Sequence, residues 1–435
     1  MIGIMNLNRR HLLTAASGLA ATATLAACGS NKGDLGGSTS ATTGSTGSSG
    51  GAKPVLNQWY HEYGEPGVKE AVQKYAADYA DASVKVTWNP GDYGKKLGSA
   101  LLTKDAPDVF EVEQGGTLDM IQQGQIADLT DIVKPVESQF NPAVMKRFQF
   151  NGKYHSIPQV VDMQLLYYRK SVLEKAGVQP PKTFAELTAA ANKVATGDMG
   201  GFFAGNDGGV GVLGTLFIWA SGLDQFDEAR TKATFTQQQF YDALTAYRDF
   251  SKTKGLLQSA SKEWYDGSPI ANGETAMQWG GLWSMPDIQK ALGDDFGVLP
   301  FPAIGAKGRV AVPFGAFGAC VNAKGKNVEA AKKFVSWLWI DQEDKQVEFA
   351  DAFGTHIPSK TALVQKASKL KEGPGADAAK FVSENGFTND IMWTGPLGDA
   401  FGAAVTNVIK KNADPAQEFK KVETLAAAEL KRVKG

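Results

Sequence analysis

The sequence predicts an α/β protein built in two lobes. Two observations carry that prediction: strand-like and helix-like stretches alternate from residue 55 onward, and the alternation restarts after Pro158. Composition sets the scale, because 435 residues with 43% hydrophobic and 21% charged side chains suit a globular protein with room for two domains of about 150 residues each. No repeat of the kind that builds a solenoid or propeller is visible.

Residues 55–60 read as a strand. After the turn residues Pro66 and Gly67, the apolar positions Val68, Ala71, Val72, Tyr75 and Tyr79 fall at helical spacing. A second strand places Val84, Val86 and Trp88 on one face. A helix over about residues 93–103 leads through Pro107 to a strand over 108–112 and another helix, so the sheet is expected to be mostly parallel with covering helices. Beyond Pro158 an extended apolar stretch runs from Val160 to Tyr168, followed by a helix with Val172 and Leu173 and another from Phe184. Residues 276–279 and 296–300 read as strands, and the last third is helical, including 328–339 and 415–433.

The N-terminus is of another kind. Arg9 and Arg10 precede an uncharged, small-residue-rich run from Leu12 to Ala27, the layout of a signal peptide over residues 1–27. It ends in Leu25-Ala26-Ala27-Cys28, which resembles the processing site of bacterial lipoproteins, with Cys28 as the lipidated residue. Asn8-Arg9-Arg10-His11-Leu12-Leu13 resembles a twin-arginine export motif, although Asn8 and Leu12 depart from it, so ordinary secretion stays open. From Gly29 to Gly51, 18 of 23 residues are Gly, Ser or Thr, a flexible tether within the segment 28–52. An extracytoplasmic protein anchored by lipid is expected, with no other membrane contact.

Charge and residue counts exclude several classes. Lys plus Arg number 45 against 46 acids, and no basic field suggests nucleic acid as a partner. Two cysteines, Cys28 and Cys320, cannot build a disulfide scaffold or a four-cysteine metal site, and no metal or cofactor is expected. The stretch Gly209-Val210-Gly211-Val212-Leu213-Gly214 matches a dinucleotide fingerprint, but it does not open the first unit of a nucleotide domain, so helix packing reads better. Asn206, Asp207 and Gly208 precede an expected helix start and are candidates to line a pocket.

Open α/β sheets bind ligands at the carboxyl ends of their strands. Glu62, Asp92, Glu113 and Asp162 stand at such ends, where they either serve a site or simply cap helices and face water. Nine tryptophans point further, because flat rings pack on the C–H faces of sugars while acids and amides pair with their hydroxyls. Trp283, after Gly280-Gly281-Leu282, leads this set, followed by Tyr60, Trp264, Trp279 and Trp393; Trp88, Trp337 and Trp339 read as core.

Several segments in order then resemble one family: Ala106-Pro107-Asp108-Val109, Asn151-Gly152-Lys153-Tyr154, Leu166-Tyr167-Tyr168-Arg169-Lys170, Pro181-Lys182-Thr183-Phe184, and Gly273-Glu274-Thr275-Ala276-Met277 with Gly280-Gly281-Leu282-Trp283. Over 53–435 the chain is similar to the extracellular solute-binding proteins of carbohydrate ABC importers. The resemblance implies a periplasmic-binding-protein-like fold of the class II type, with a ligand cleft between the lobes. Lobe 1 would be 53–160 and 319–365, and lobe 2 would be 164–316 and 371–435. The hinge crossings would lie near 161–163, 317–318 and 366–370. It implies ligand contacts from His61, Glu62, Asp162 and Trp283, a sugar as ligand, and delivery to ABC permease subunits without chemistry; Gly281 beside Trp283 is counted with the binding residues, the scarcity of Arg and Lys at the strand ends favours a neutral sugar, and a monomer is expected. The alternative is a surface-anchored glycoside hydrolase using two cleft carboxylates.

Overall fold

A computed structural model describes residues 53–434, so the expected leader over 1–27, Cys28 and the whole of the expected tether over 28–52 lie outside the described residues. Eight strands carry the architecture: β1 (Val55–His61), β2 (Ser83–Asn89), β3 (Val109–Glu113), β4 (Ile157–Arg169), β5 (Gly200–Phe203), β6 (Thr275–Gly281), β7 (Phe296–Leu299) and β8 (Val312–Val321). Their order across the sheet is β2-β1-β3-β8-β4-β6-β5, with β7 also paired to β4.

This sheet is mixed, which corrects the expectation of a mostly parallel one. β1 runs parallel to β2 and β3, and β5 runs parallel to β6, but β8 is antiparallel to both β3 and β4, and β4 is antiparallel to β6 and β7. Strand β8 had no signature in the sequence because its centre, Phe314-Gly315-Ala316-Phe317-Gly318-Ala319, is rich in residues of low strand propensity. Its glycines are steric. A Cβ on Gly318 would stand 2.8 Å from the Gly115 Cα and 2.9 Å from the Ser156 Cβ, so only glycine lets β8 lie this close to its neighbours.

The 13-residue strand β4 joins the two halves. Residues Ile157–Met163 pair with β8, whereas Gln164–Arg169 pair with β6 and β7. One large apolar core gathers Leu56, Tyr75, Val160, Phe334 and Trp339 around β1, β3, β8 and the start of β4. A second gathers Phe202, Phe217, Tyr247, Trp279 and Phe401 around β5 and β6. Burying side chains of this size supplies about 1.5 to 3 kcal/mol each, which is why both halves carry so many aromatics.

The helices follow their local signals. The helix Phe184–Val194 starts with a capping box in which the Thr183 side chain accepts from the Glu186 backbone N–H and the Glu186 carboxylate accepts from the Thr183 backbone N–H. The helix Tyr93–Ala100 stops earlier than the spacing suggests, and the fingerprint-like segment 209–214 is a run of turns rather than a helix, with helix resuming at Leu216. Gly208, just before that segment, and Gly209, its first residue, adopt φ of 70° and 82°, which a helix cannot use. The helix Val328–Ser336 continues as a π-helical turn, Trp337–Asp341, that buries Trp339 and packs Trp337 on Tyr79 and Phe334. Among the described residues, no helix is long and apolar enough to cross a membrane.

Candidate functional site

Between the two cores lies a cleft of about 720 Å³. Its first wall begins where β1 ends. Because successive strand residues point to opposite sides, Tyr60 enters the core and His61 enters the cleft. The His61 backbone N–H donates to the Glu111 carboxylate at 2.8 Å, its Nδ1 contacts the same oxygen, and the Tyr63 hydroxyl donates to the other oxygen at 2.8 Å. Glu111 is buried, and these contacts are what make a buried carboxylate tolerable. Burial pulls the His61 pKa down, but the Glu111 carboxylate more than reverses this and raises it. The His61 ring lies stacked on Phe317 of β8, with centroids 4.6 Å apart.

Deeper in the cleft, Asp162 projects from the middle of β4. Its Oδ1 meets His356 Nδ1 at 2.6 Å, and His356 Nε2 meets Glu65 Oε1 at 3.2 Å, so one imidazole is gripped by two carboxylates. The His356 side chain is only 3% exposed. Burial disfavours its charge, yet Asp162 and Glu65 outweigh that and hold its pKa at about 10, which makes it an imidazolium at neutral pH. Glu65 responds in kind: burial would raise its pKa, and the contact with His356 lowers it. Glu113 closes this wall at the end of β3. Burial and the charge of Asp162 raise its pKa, against the opposing pull of His61.

The second wall is aromatic. Trp264, Tyr265 and Trp283 line it together with Trp219 and Phe387. Trp264 and Trp283 meet edge to face with centroids 6.0 Å apart, and the Trp283 Nε1–H donates to the Tyr265 carbonyl at 2.9 Å. Trp283 is folded back across the end of β6, where a Cβ on Gly281 would come within 2.1 Å of the indole. Glycine at 281 therefore seats the ring. On the floor, Gln114 has φ of 57°, an uncommon left-handed conformation for a residue other than glycine, and its Oε1 accepts from the Thr388 hydroxyl at 3.2 Å.

Of the residues singled out in the sequence, His61, Glu62, Glu113, Asp162, Trp264 and Trp283 are brought together on the cleft lining. The rest stand elsewhere. Tyr60 is core, and Trp279 is fully buried with its Nε1–H donating to Gln164 Oε1 at 2.9 Å, since β6 is covered on both faces. Asp92 caps the helix Tyr93–Ala100 by accepting from the Lys95 N–H, and the Asp207 carboxylate accepts from the backbone N–H groups of Gly209 and Gly211. Trp393 packs edge-on against Phe235 and Phe401. Gly281 supports the wall from behind rather than forming it. Tyr63, Glu65, Gln114, Tyr265, Phe317 and His356 also line the cleft, and sequence reasoning missed them; only Glu65, beside Pro66-Gly67 after the first strand, had a local signal.

Among the described residues, no group of three or more His, Cys, Asp or Glu side chains is arranged to hold a metal ion. Among the described residues, no Lys or Arg lines the cleft either. The arrangement offers aromatic faces on one side and hydrogen-bond acceptors on the other, a chemistry suited to a ligand with apolar faces and many donors.

Residues 62–339 match the family described as bacterial extracellular solute-binding protein. The diacetylchitobiose binding protein DasA of Streptomyces coelicolor is 25% identical over 441 residues, covering 95% of this chain and 97% of that protein. The sn-glycerol-3-phosphate-binding periplasmic protein UgpB of Escherichia coli is 25% identical over 347 residues, covering 74% of this chain and 78% of its own length. Among solved structures, the GacH receptor of Streptomyces glaucescens, studied unliganded and with acarbose, superposes with a TM-score of 0.73 at 22% identity, covering 88% of this chain and 99% of that one, and shares its fold.

Proposed function

The chain belongs to the bacterial extracellular solute-binding protein family, and from that premise we propose that it captures a saccharide of two or more rings, free of anionic groups, and delivers it to permease subunits in the membrane. It is the solute-binding component of an ABC importer and not an enzyme, so the cleft carboxylates bind rather than hydrolyse. The observation that supports a saccharide is the pairing of the Trp264–Trp283 wall with the acidic wall of Glu113 and Asp162 across one cleft. A phosphate ester, the ligand in the name of UgpB, would meet carboxylates with no Lys or Arg among the described lining residues to offset its charge.

In this reading lobe 1 comprises 53–160 and 319–365, lobe 2 comprises 164–316 and 371–435, and closure bends the crossings near 161–163, 317–318 and 366–370. Asp162 sits in the first crossing and contacts ligand, which couples occupancy to closure. Cys28 carries the lipid that anchors the protein outside the cell membrane, and the segment 28–52 lets a monomeric body reach the permease. Replacing Cys28 with Ser would release the protein from the membrane fraction; retention there would refute the anchor.

Thermal unfolding of the mature protein against a panel of mono-, di- and oligosaccharides tests the ligand class, since a compound that binds only the folded state raises the midpoint with concentration. A concentration-dependent rise with one family of saccharides, recovered uncleaved, is expected. A rise with none of them, beside a rise with glycerol phosphate, would overturn it.

A further inference from the structure

The charges around the cleft are unbalanced. Glu65 and Asp162 share the single imidazolium of His356, which leaves one negative charge over. His61 is engaged by Glu111 behind it. Glu62 and Glu113 also line the cleft, and among the described residues neither makes a side-chain hydrogen bond or ion pair, while Lys and Arg are missing from the lining. The imbalance sits on one wall, opposite the indoles.

A ligand that fills the cleft strips water from these carboxylates. A hydroxyl returns one hydrogen bond to each oxygen it meets but leaves the charge uncompensated, whereas an ammonium supplies three donors and the opposite charge. Closing the lobes over Glu113 with only neutral ligand groups against it would leave that carboxylate the distant pull of His61, which is already engaged by Glu111, and no charge partner of its own, an arrangement folded proteins avoid. The scarcity of basic residues that excludes an anionic sugar thus does not leave a neutral one as the best match.

We infer that the saccharide held in this cleft carries a free, protonated amine, placed against Glu113 and Asp162 while its ring faces pack on Trp264 and Trp283. The inference rests on the saccharide reading above and names its chemical class. Glu113 is then a specificity-determining residue, and Glu62, at the exposed lip, adds to the field that draws the cation in.

The test is calorimetric titration of the mature protein with 1,4-linked glucose disaccharides, α and β, each in three forms that differ only at C2: hydroxyl, acetamido and free amine. The amine form of one linkage is expected to bind at least about tenfold tighter than its two counterparts, an advantage that shrinks as salt is raised. Glu113→Gln should remove most of that advantage while the unfolding midpoint stays near that of the parent. Equal or tighter binding of the hydroxyl or acetamido form would overturn the inference and leave the saccharide reading standing. Failure of all six disaccharides to bind, with a linear diamine binding instead, would overturn both.

Discussion

His356 makes the most quantitative prediction. Its imidazolium is held at a pKa of about 10 in the folded protein against 6.5 for an unconstrained histidine. A pKa raised by folding means the native state binds the extra proton more tightly, so the resulting stability is complete below about pH 6.5 and is lost as pH rises through 10. At 1.36 kcal/mol per pKa unit, the contribution is of order 4 kcal/mol at pH 7 and about 1 to 2 kcal/mol at pH 9. His356→Gln removes the titrating group and leaves Asp162 and Glu65 facing each other across a neutral amide. Urea unfolding of both proteins at pH 7, 8 and 9 gives the difference curve, in which other titrating groups cancel. Wild type should exceed the variant by several kcal/mol at pH 7, and the gap should narrow by roughly 2 to 3 kcal/mol by pH 9. A gap that stays constant across that range would refute the assignment of the charge to His356.

The three histidines among the described residues should titrate in a fixed order by NMR: His155 below 6.5 because burial disfavours its charge, His61 above it because of Glu111, and His356 last; any other order refutes the pairing of each imidazole with its carboxylates. Gly281→Ala should drive the Trp283 indole off its seat and weaken saccharide binding by about tenfold or more with little change in unfolding midpoint, so unchanged affinity would show that the ring's position does not matter. Trp283→Ala and Trp279→Ala should separate cleanly: the first costs binding, and the second costs about 3 to 5 kcal/mol of stability, since Trp279 is fully buried. Equal stability losses in the two would refute the division between wall and core. Asp162→Asn should weaken binding and also lower the His356 pKa, and an unmoved His356 resonance would count against the contact.

Much of this architecture was legible because it rests on local periodicity. Strand β1, the helix Val68–Asp78 and the long helices at the C-terminus announce themselves through spacing, and the segment order around Gly273 and Trp283 pointed to the family. What stayed hidden depends on long-range pairing. Nothing near His356 in the sequence says that it meets Asp162, 194 positions away. Tyr60 and His61 are neighbours with opposite fates, and only the register of β1 against β2 and β3 decides which one faces the cleft. The same holds for Trp279 and Trp283: the strand β6 is buried along its whole length, so alternation carries no signal, and the ring that reaches the cleft, half-buried, is the one just past the strand's end. Asp92 and Asp207 look like site residues in a sequence because acids that bind ligands and acids that cap backbone N–H groups use the same chemistry.

The position of β8 bears on how the protein is made. Strand β3 pairs on one edge with β1, which precedes it, but its other edge is covered only by β8, after β4, β5, β6 and β7 have all been synthesised. A chain emerging from a ribosome or a secretion pore therefore carries β3 with one unsatisfied edge throughout that interval, a template for pairing with another chain. The second half of β4, with β6 and β7, can assemble sooner, since every one of those partners is present by Leu299. Biosynthesis thus runs against the order of the sequence: the half of the sheet that comes first must wait for the half that comes second, and slow export or a truncation before Val312 would expose the cell to aggregation rather than to a folded half-protein.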